Sequence, residues 1–141
     1  MKKSILIGLF AVLLMSCGGN AGKNKEQGND TKAQATDASM VNVYYFHGKQ
    51  RCKTCMAVEA VAKKTIEDGY ATNNKVKFIE VDTSDKQNEA LVEKYEVSWN
   101  ALIIAKGENS IDITDRAFAS AVNSPETLTN LIKEEVNSRL K

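Results

Sequence analysis

From Met40 onward, short β-branched and aromatic runs alternate with longer stretches whose apolar residues recur at helical spacing. Val41-Asn42-Val43-Tyr44-Tyr45-Phe46 predicts a buried strand, and His47 to Arg51 a polar loop. A helix is predicted from about Lys53, with Val58, Val61, Ala62, Thr65 and Ile66 on one face and Gly69 as its stop. Val76 to Val81 predicts a second strand. Thr83, Ser84 and Asp85 offer N-caps for a second helix carrying Leu91, Val92 and Tyr95. Leu102 to Ala105 reads as a short apolar strand. Lys106-Gly107-Glu108-Asn109 is a turn signal, and Ser110 to Thr114 alternates as the hairpin partner. Ser124 caps and Pro125 opens a last helix, whose stripe is Leu128, Leu131, Ile132, Val136 and Leu140.

The predicted order is β-α-β-α-β-β-α. This is an α/β domain over residues 40–141, with a central four-stranded mixed sheet flanked by helices. The strand-helix-strand start implies a parallel pair joined by a crossover helix. The late hairpin adds an antiparallel strand at one edge.

Ahead of Met40 the pattern is lost. Gly18 to Ser39 is polar and has no aromatic residue, so it buries too little surface to fold and predicts a tether. Its reach is roughly 25 Å if fully flexible. Lys2 and Lys3, followed by the apolar run Ile5 to Met15, form a targeting segment too short to span a bilayer. Leu14-Met15-Ser16-Cys17 resembles a bacterial lipobox. The resemblance implies a signal peptide over residues 1–16, and a lipidated Cys17 with its tether over 17–39. It places the protein outside the cytoplasm, anchored in the outer or inner membrane. Gly18-Gly19-Asn20-Ala21-Gly22 carries no acid, which points to the periplasmic side.

Charge removes several function classes. The chain has 19 Lys and Arg against 18 Asp and Glu, so it lacks the basic footprint of a nucleic-acid binder. Its single histidine gives no support to a serine-histidine-acid triad, and neither a P-loop nor a dinucleotide fingerprint is present. Repeats at solenoid periods are absent as well.

What remains is His47-Gly48-Lys49-Gln50-Arg51-Cys52-Lys53-Thr54-Cys55-Met56, with two of the three cysteines. The spacing fits a redox couple, a metal clamp or a staple. At the start of the predicted helix, Cys52 faces unpaired backbone N–H groups and the positive end of the helix dipole, which favour a thiolate. Arg51 and Lys53 add positive charge beside it, and His47 modulates that charge. Cu(I) is the metal alternative, held by Cys52 and Cys55 with His47 or Met56; one histidine supplies too few ligands for a closed zinc site. Met56 otherwise reads as helix core. A disulfide across a two-residue gap constrains little, so the inert staple ranks last.

A CxxC between the first strand and first helix of such a chain resembles the thioredoxin fold in its minimal form, over about residues 40–141. Tyr45-Phe46-His47 ahead of Arg51-Cys52-x-x-Cys55 is similar to a group of small bacterial thioredoxin-like proteins. Some of these carry labels linking them to nitroreductase or arsenic-associated systems. The resemblance implies that Cys52 is the nucleophile and Cys55 the more buried resolving thiol. It implies thiol-disulfide exchange with extracytoplasmic protein thiols and disulfides, fed by a membrane electron donor. The redox disulfide would serve without a further cofactor. A monomer is expected.

Two departures from that family stand out. The cis-proline that faces its CxxC has no counterpart, because Pro125 is the chain's only proline. The equivalent loop is Ser98-Trp99-Asn100-Ala101, expected in trans. Trp99, Asn100 and Ala101 would face the substrate there, with Trp99 either covering the thiols or packing in the core. The family's buried acid on the first strand is also missing: Phe46 takes its place. Proton transfer then falls to water, a partner or Glu59, although Glu59 reads as a solvated helix residue.

Overall fold

A computed structural model describes residues 37–141. Cys17, the signal segment and the tether up to residue 36 lie outside the described residues. Residues 37–39 form a turn, in which Met40 N–H donates to the Asp37 carbonyl at 2.9 Å.

The strands are β1 (Val41–His47), β2 (Val76–Asp82), β3 (Ala101–Lys106) and β4 (Asn109–Asp112). The helices are α1 (Lys53–Gly69), α2 (Glu89–Lys94), α3 (Thr114–Ser120) and α4 (Pro125–Leu140). The sheet runs β2-β1-β3-β4, with β1 and β2 parallel and the other pairs antiparallel. The chain is therefore α/β with a mixed four-stranded sheet, as its pattern predicts.

Strand periodicity divides the core into two layers. Val41, Val43 and Tyr45 of β1, with Leu102 and Ile104 of β3, face α1, α3 and α4. Their partners there include Val58, Ala62, Ala117, Leu128 and Ile132. Tyr44, Phe46, Ile103 and Ala105 point to the other face, where Leu91 and Val92 of α2 and Tyr95 at its C-cap cover them. Alternate residues of a strand point to opposite faces, so a central strand covered on both must be apolar throughout. Every residue of β1 is buried.

Three local readings change. His47 belongs to β1 and is buried, rather than opening a loop. Its register opposite Asp82 extends the parallel ladder by one polar residue. The hairpin partner ends at Asp112, because the Asp112 carboxylate accepts from the backbone N–H of Thr114 at 2.8 Å. A helix, α3, then starts where alternation predicted more strand. The second helical segment begins with a short 3-10 turn, Lys86–Asn88, capped by Asp85, before α2.

The exit from α2 sets up the loop before β3. Val97 N–H donates to the Val92 carbonyl at 3.0 Å and Glu96 N–H to the Glu93 carbonyl at 3.1 Å. This is a Schellman motif, which needs a left-handed residue at its centre. Glu96 takes that position with φ 51°. A residue with a Cβ pays roughly 1–2 kcal/mol there. Glycine avoids that cost but gains freedom in the unfolded chain. Glu96→Gly is thus expected to stabilise the protein by about 0.5–1 kcal/mol. Denaturant unfolding checks this; a lower midpoint would count against the strain.

Candidate functional site

The site is built where β1 hands over to α1. After His47, the loop 48–51 turns the chain so that Cys52 takes the N-cap of α1 in extended conformation. Cys52 fills a position usually held by serine, threonine or aspartate, and its Sγ accepts from the Cys55 N–H at 3.0 Å. The two cysteines form a disulfide. Cys52 is exposed, whereas Cys55 is 3% exposed because the first turn of α1 rotates it toward the sheet. Helix geometry thus makes two unlike sulfurs from one short motif. The fold is thioredoxin-like.

Tyr45 supports the pair from below, its hydroxyl donating to the Cys55 carbonyl at 2.7 Å. Burial pushes its phenol above the usual value; Arg51 pulls the other way and Glu80 adds to the rise. The residue of β1 behind the CxxC is thus Tyr45. Phe46 lies in the α2-facing layer, because neighbouring strand residues face opposite ways.

Arg51 does not stand as a free cation beside the thiols. Its guanidinium pairs with Glu59 of α1 and, at 3.3 Å, with Glu80 of β2. It also lies 6.0 Å from the Tyr45 ring centroid. Glu59 is therefore no solvated helix residue: its side chain is only 19% exposed. His47 joins from the other side, with Nε2 2.9 Å from Glu80 and Nδ1 3.0 Å from the Gly48 carbonyl oxygen. Lys49 and Lys53 are exposed. Met56 is 51% exposed, so it is not helix core. Among the described residues, no group of three or more His, Cys, Asp or Glu side chains is placed to hold a metal ion.

An open groove of about 560 Å³ runs over the disulfide. Gln50, Arg51, Cys52 and Cys55 form one wall, and Trp99 and Asn100 the next. Thr114, Asp115 and Phe118 of α3 close the third side. Trp99 is 73% exposed, which removes the core reading of this tryptophan. Asn100 donates through Nδ2 to the Cys55 Sγ at 3.6 Å, and its Oδ1 is buried without a partner. Ala101 does not line the groove; it is buried in β3. No cis peptide bond occurs among the described residues, so Asn100–Ala101 is trans as expected.

The α3 wall escaped the sequence reading. Its signals were the Asp112-x-Thr114 cap and the run Arg116-Ala117-Phe118-Ala119, which favours helix.

No family model and no curated protein matches the chain. A solved structure described as "Structure of a malarial protein" is 24% identical over 69% of this chain and 98% of that one, with a TM-score of 0.44.

Proposed function

We propose that this protein is a membrane-tethered thiol-disulfide oxidoreductase or electron carrier that works through Cys52 and Cys55. The observation that carries the reading is the asymmetry of the pair: an exposed sulfur at a helix N-cap, and a buried sulfur one turn in. In the reduced protein, the Cys52 thiolate attacks one sulfur of a partner's disulfide. A mixed disulfide forms and the partner's other sulfur leaves as a thiolate, which takes up a proton. Cys55 then loses its proton and attacks the Cys52 Sγ, releasing the partner's second thiolate. The partner gains two electrons and two protons, and the Cys52–Cys55 disulfide returns. A membrane electron donor would reduce it again. The partners are protein thiols and disulfides outside the cytoplasm, presented to the groove beside Trp99 and Asn100.

The test is equilibration of the full chain with mixtures of reduced and oxidised glutathione, followed by thiol trapping and mass measurement. A reversible two-electron Cys52–Cys55 couple is expected. Failure to interconvert at any ratio would remove the redox reading.

The anchor belongs to the same proposal. It rests on Leu14-Met15-Ser16-Cys17 and the polar stretch behind it. Cys17→Ser is expected to move the protein from the membrane to the soluble fraction or to block its processing. Unchanged maturation and membrane retention would end the lipoprotein assignment. Kinship with the small bacterial proteins of nitroreductase or arsenic-associated label rests on Tyr45-Phe46-His47 and Arg51-Cys52-x-x-Cys55.

A further inference from the structure

We propose that Glu59 and Glu80 are positioning residues for the dithiol: held between them, Arg51 cannot lend its charge to Cys52, and the couple stays on the reducing side. The inference rests on the thiol-disulfide reading above and adds what sets its direction.

Arg51 immediately precedes Cys52. A lone guanidinium there would stabilise the Cys52 thiolate, and so the reduced form, making the couple a stronger oxidant. The structure gives that guanidinium two carboxylates from two different elements, Glu59 on α1 and Glu80 on β2. One positive charge meets two negative ones. His47 contacts Glu80, and even a fully protonated ring would bring this cluster only to neutrality.

Burial makes the cluster count for more than the lysines. The Arg51 side chain is 28% exposed and that of Glu59 19%, whereas Lys49 and Lys53 stand in solvent, where salt screens them. Arg51 Nε and Nη2 are buried without a hydrogen-bond partner, and the guanidinium is held by its ion pairs, Nη2 with Glu59 and Nη1 with Glu80. Glu59 has a second route to the site. It lies four residues after Cys55, one helical turn along the same face. That spacing keeps its negative charge on the helix that carries both cysteines. The remaining groups around the dithiol are Tyr45 on β1, whose phenol is neutral, and Asp115 across the groove on α3. Neither supplies positive charge.

The experiment uses the full chain and glutathione as the probe. Protein dithiol and oxidised glutathione exchange to protein disulfide and two reduced glutathiones, so two electrons and two protons balance. Glu59→Gln and Glu80→Gln are each expected to shift this constant toward the protein dithiol by about three- to tenfold. Alkylation of Cys52 with iodoacetamide should reach its midpoint at lower pH in both variants. Arg51→Gln is expected to move both readouts the opposite way. Glu80 is the safer substitution for folding, since its side chain is 39% exposed. Opposite shifts on removing opposite charges are what an electrostatic role produces. Shifts of the same sign in Glu59→Gln and Arg51→Gln would mark a packing role and overturn the inference. So would a wild-type couple that exchanges normally while both glutamine variants match it. A wild-type protein that does not exchange at all would instead remove the redox reading, and this inference with it.

Discussion

Cys55→Ser is expected to capture partner proteins on Cys52 as stable mixed disulfides, while Cys52→Ser captures none and loses exchange altogether. The difference follows from access. Cys52 caps the helix from an exposed position, with a backbone N–H aimed at its sulfur. Cys55 is enclosed by α1 and by Asn100, with Tyr45 bonded to its carbonyl. An incoming disulfide can align with the first sulfur and not with the second. Without Cys55 the mixed disulfide has no internal thiol to resolve it and accumulates. Non-reducing gels of extracts from cells making each variant give the direct comparison, and alkylation of the reduced wild type should label Cys52 first. Equal capture by both variants would contradict the assigned roles.

Ile104→Ala is expected to cost about 2–5 kcal/mol. Ile104 is fully buried on β3, opposite Val43 of β1 and Ile111 of β4, in the layer that α1 and α4 cover. Truncation there removes apolar contacts and leaves a cavity between the sheet and its covering helices, of which α1 carries the disulfide. For a domain of this size the melting temperature should fall by roughly 10 °C or more. Ile111→Ala, on the edge strand and only partly buried, should cost clearly less. Thermal and denaturant unfolding of the two variants would decide the matter. A loss below about 1 kcal/mol for Ile104→Ala would mean that this layer is not packed as described.

The parts of the fold that the sequence made legible are those with sustained periodicity. β1, α1, β2, β3 and α4 each repeat a burial pattern over several residues, and each appears close to its expected span. The CxxC was equally plain, since a polar loop between a buried strand and an amphipathic helix leaves it only one place. Short elements were harder. Ahead of α3 the alternation of Ile111 and Ile113 continued past Asp112, and only the Asp112-x-Thr114 cap and the short run Arg116 to Ala119 marked the change of period. Charged side chains were harder still. Glu59 falls on the same helical face as Cys55, but an acid on a helix reads as solvent-facing until its cation is known. That cation, Arg51, comes from a loop and brings Glu80 with it from another strand. Trp99 stood between two readings, a cover over the thiols and a core tryptophan, and the surrounding fold leaves it exposed in the groove wall.

The strand order β2-β1-β3-β4 has a consequence for the chain as it is made. β1 gains one neighbour early, because β2 follows it after a single helix. Its other neighbour, β3, begins only at Ala101. For the whole interval a strand of valines and aromatic residues has one row of backbone donors and acceptors without its final partner. Open apolar edges of this kind invite pairing with other chains. The pairing that closes this edge is also the most distant of the three strand pairings in sequence, so it carries the largest loop-closure cost in the sheet.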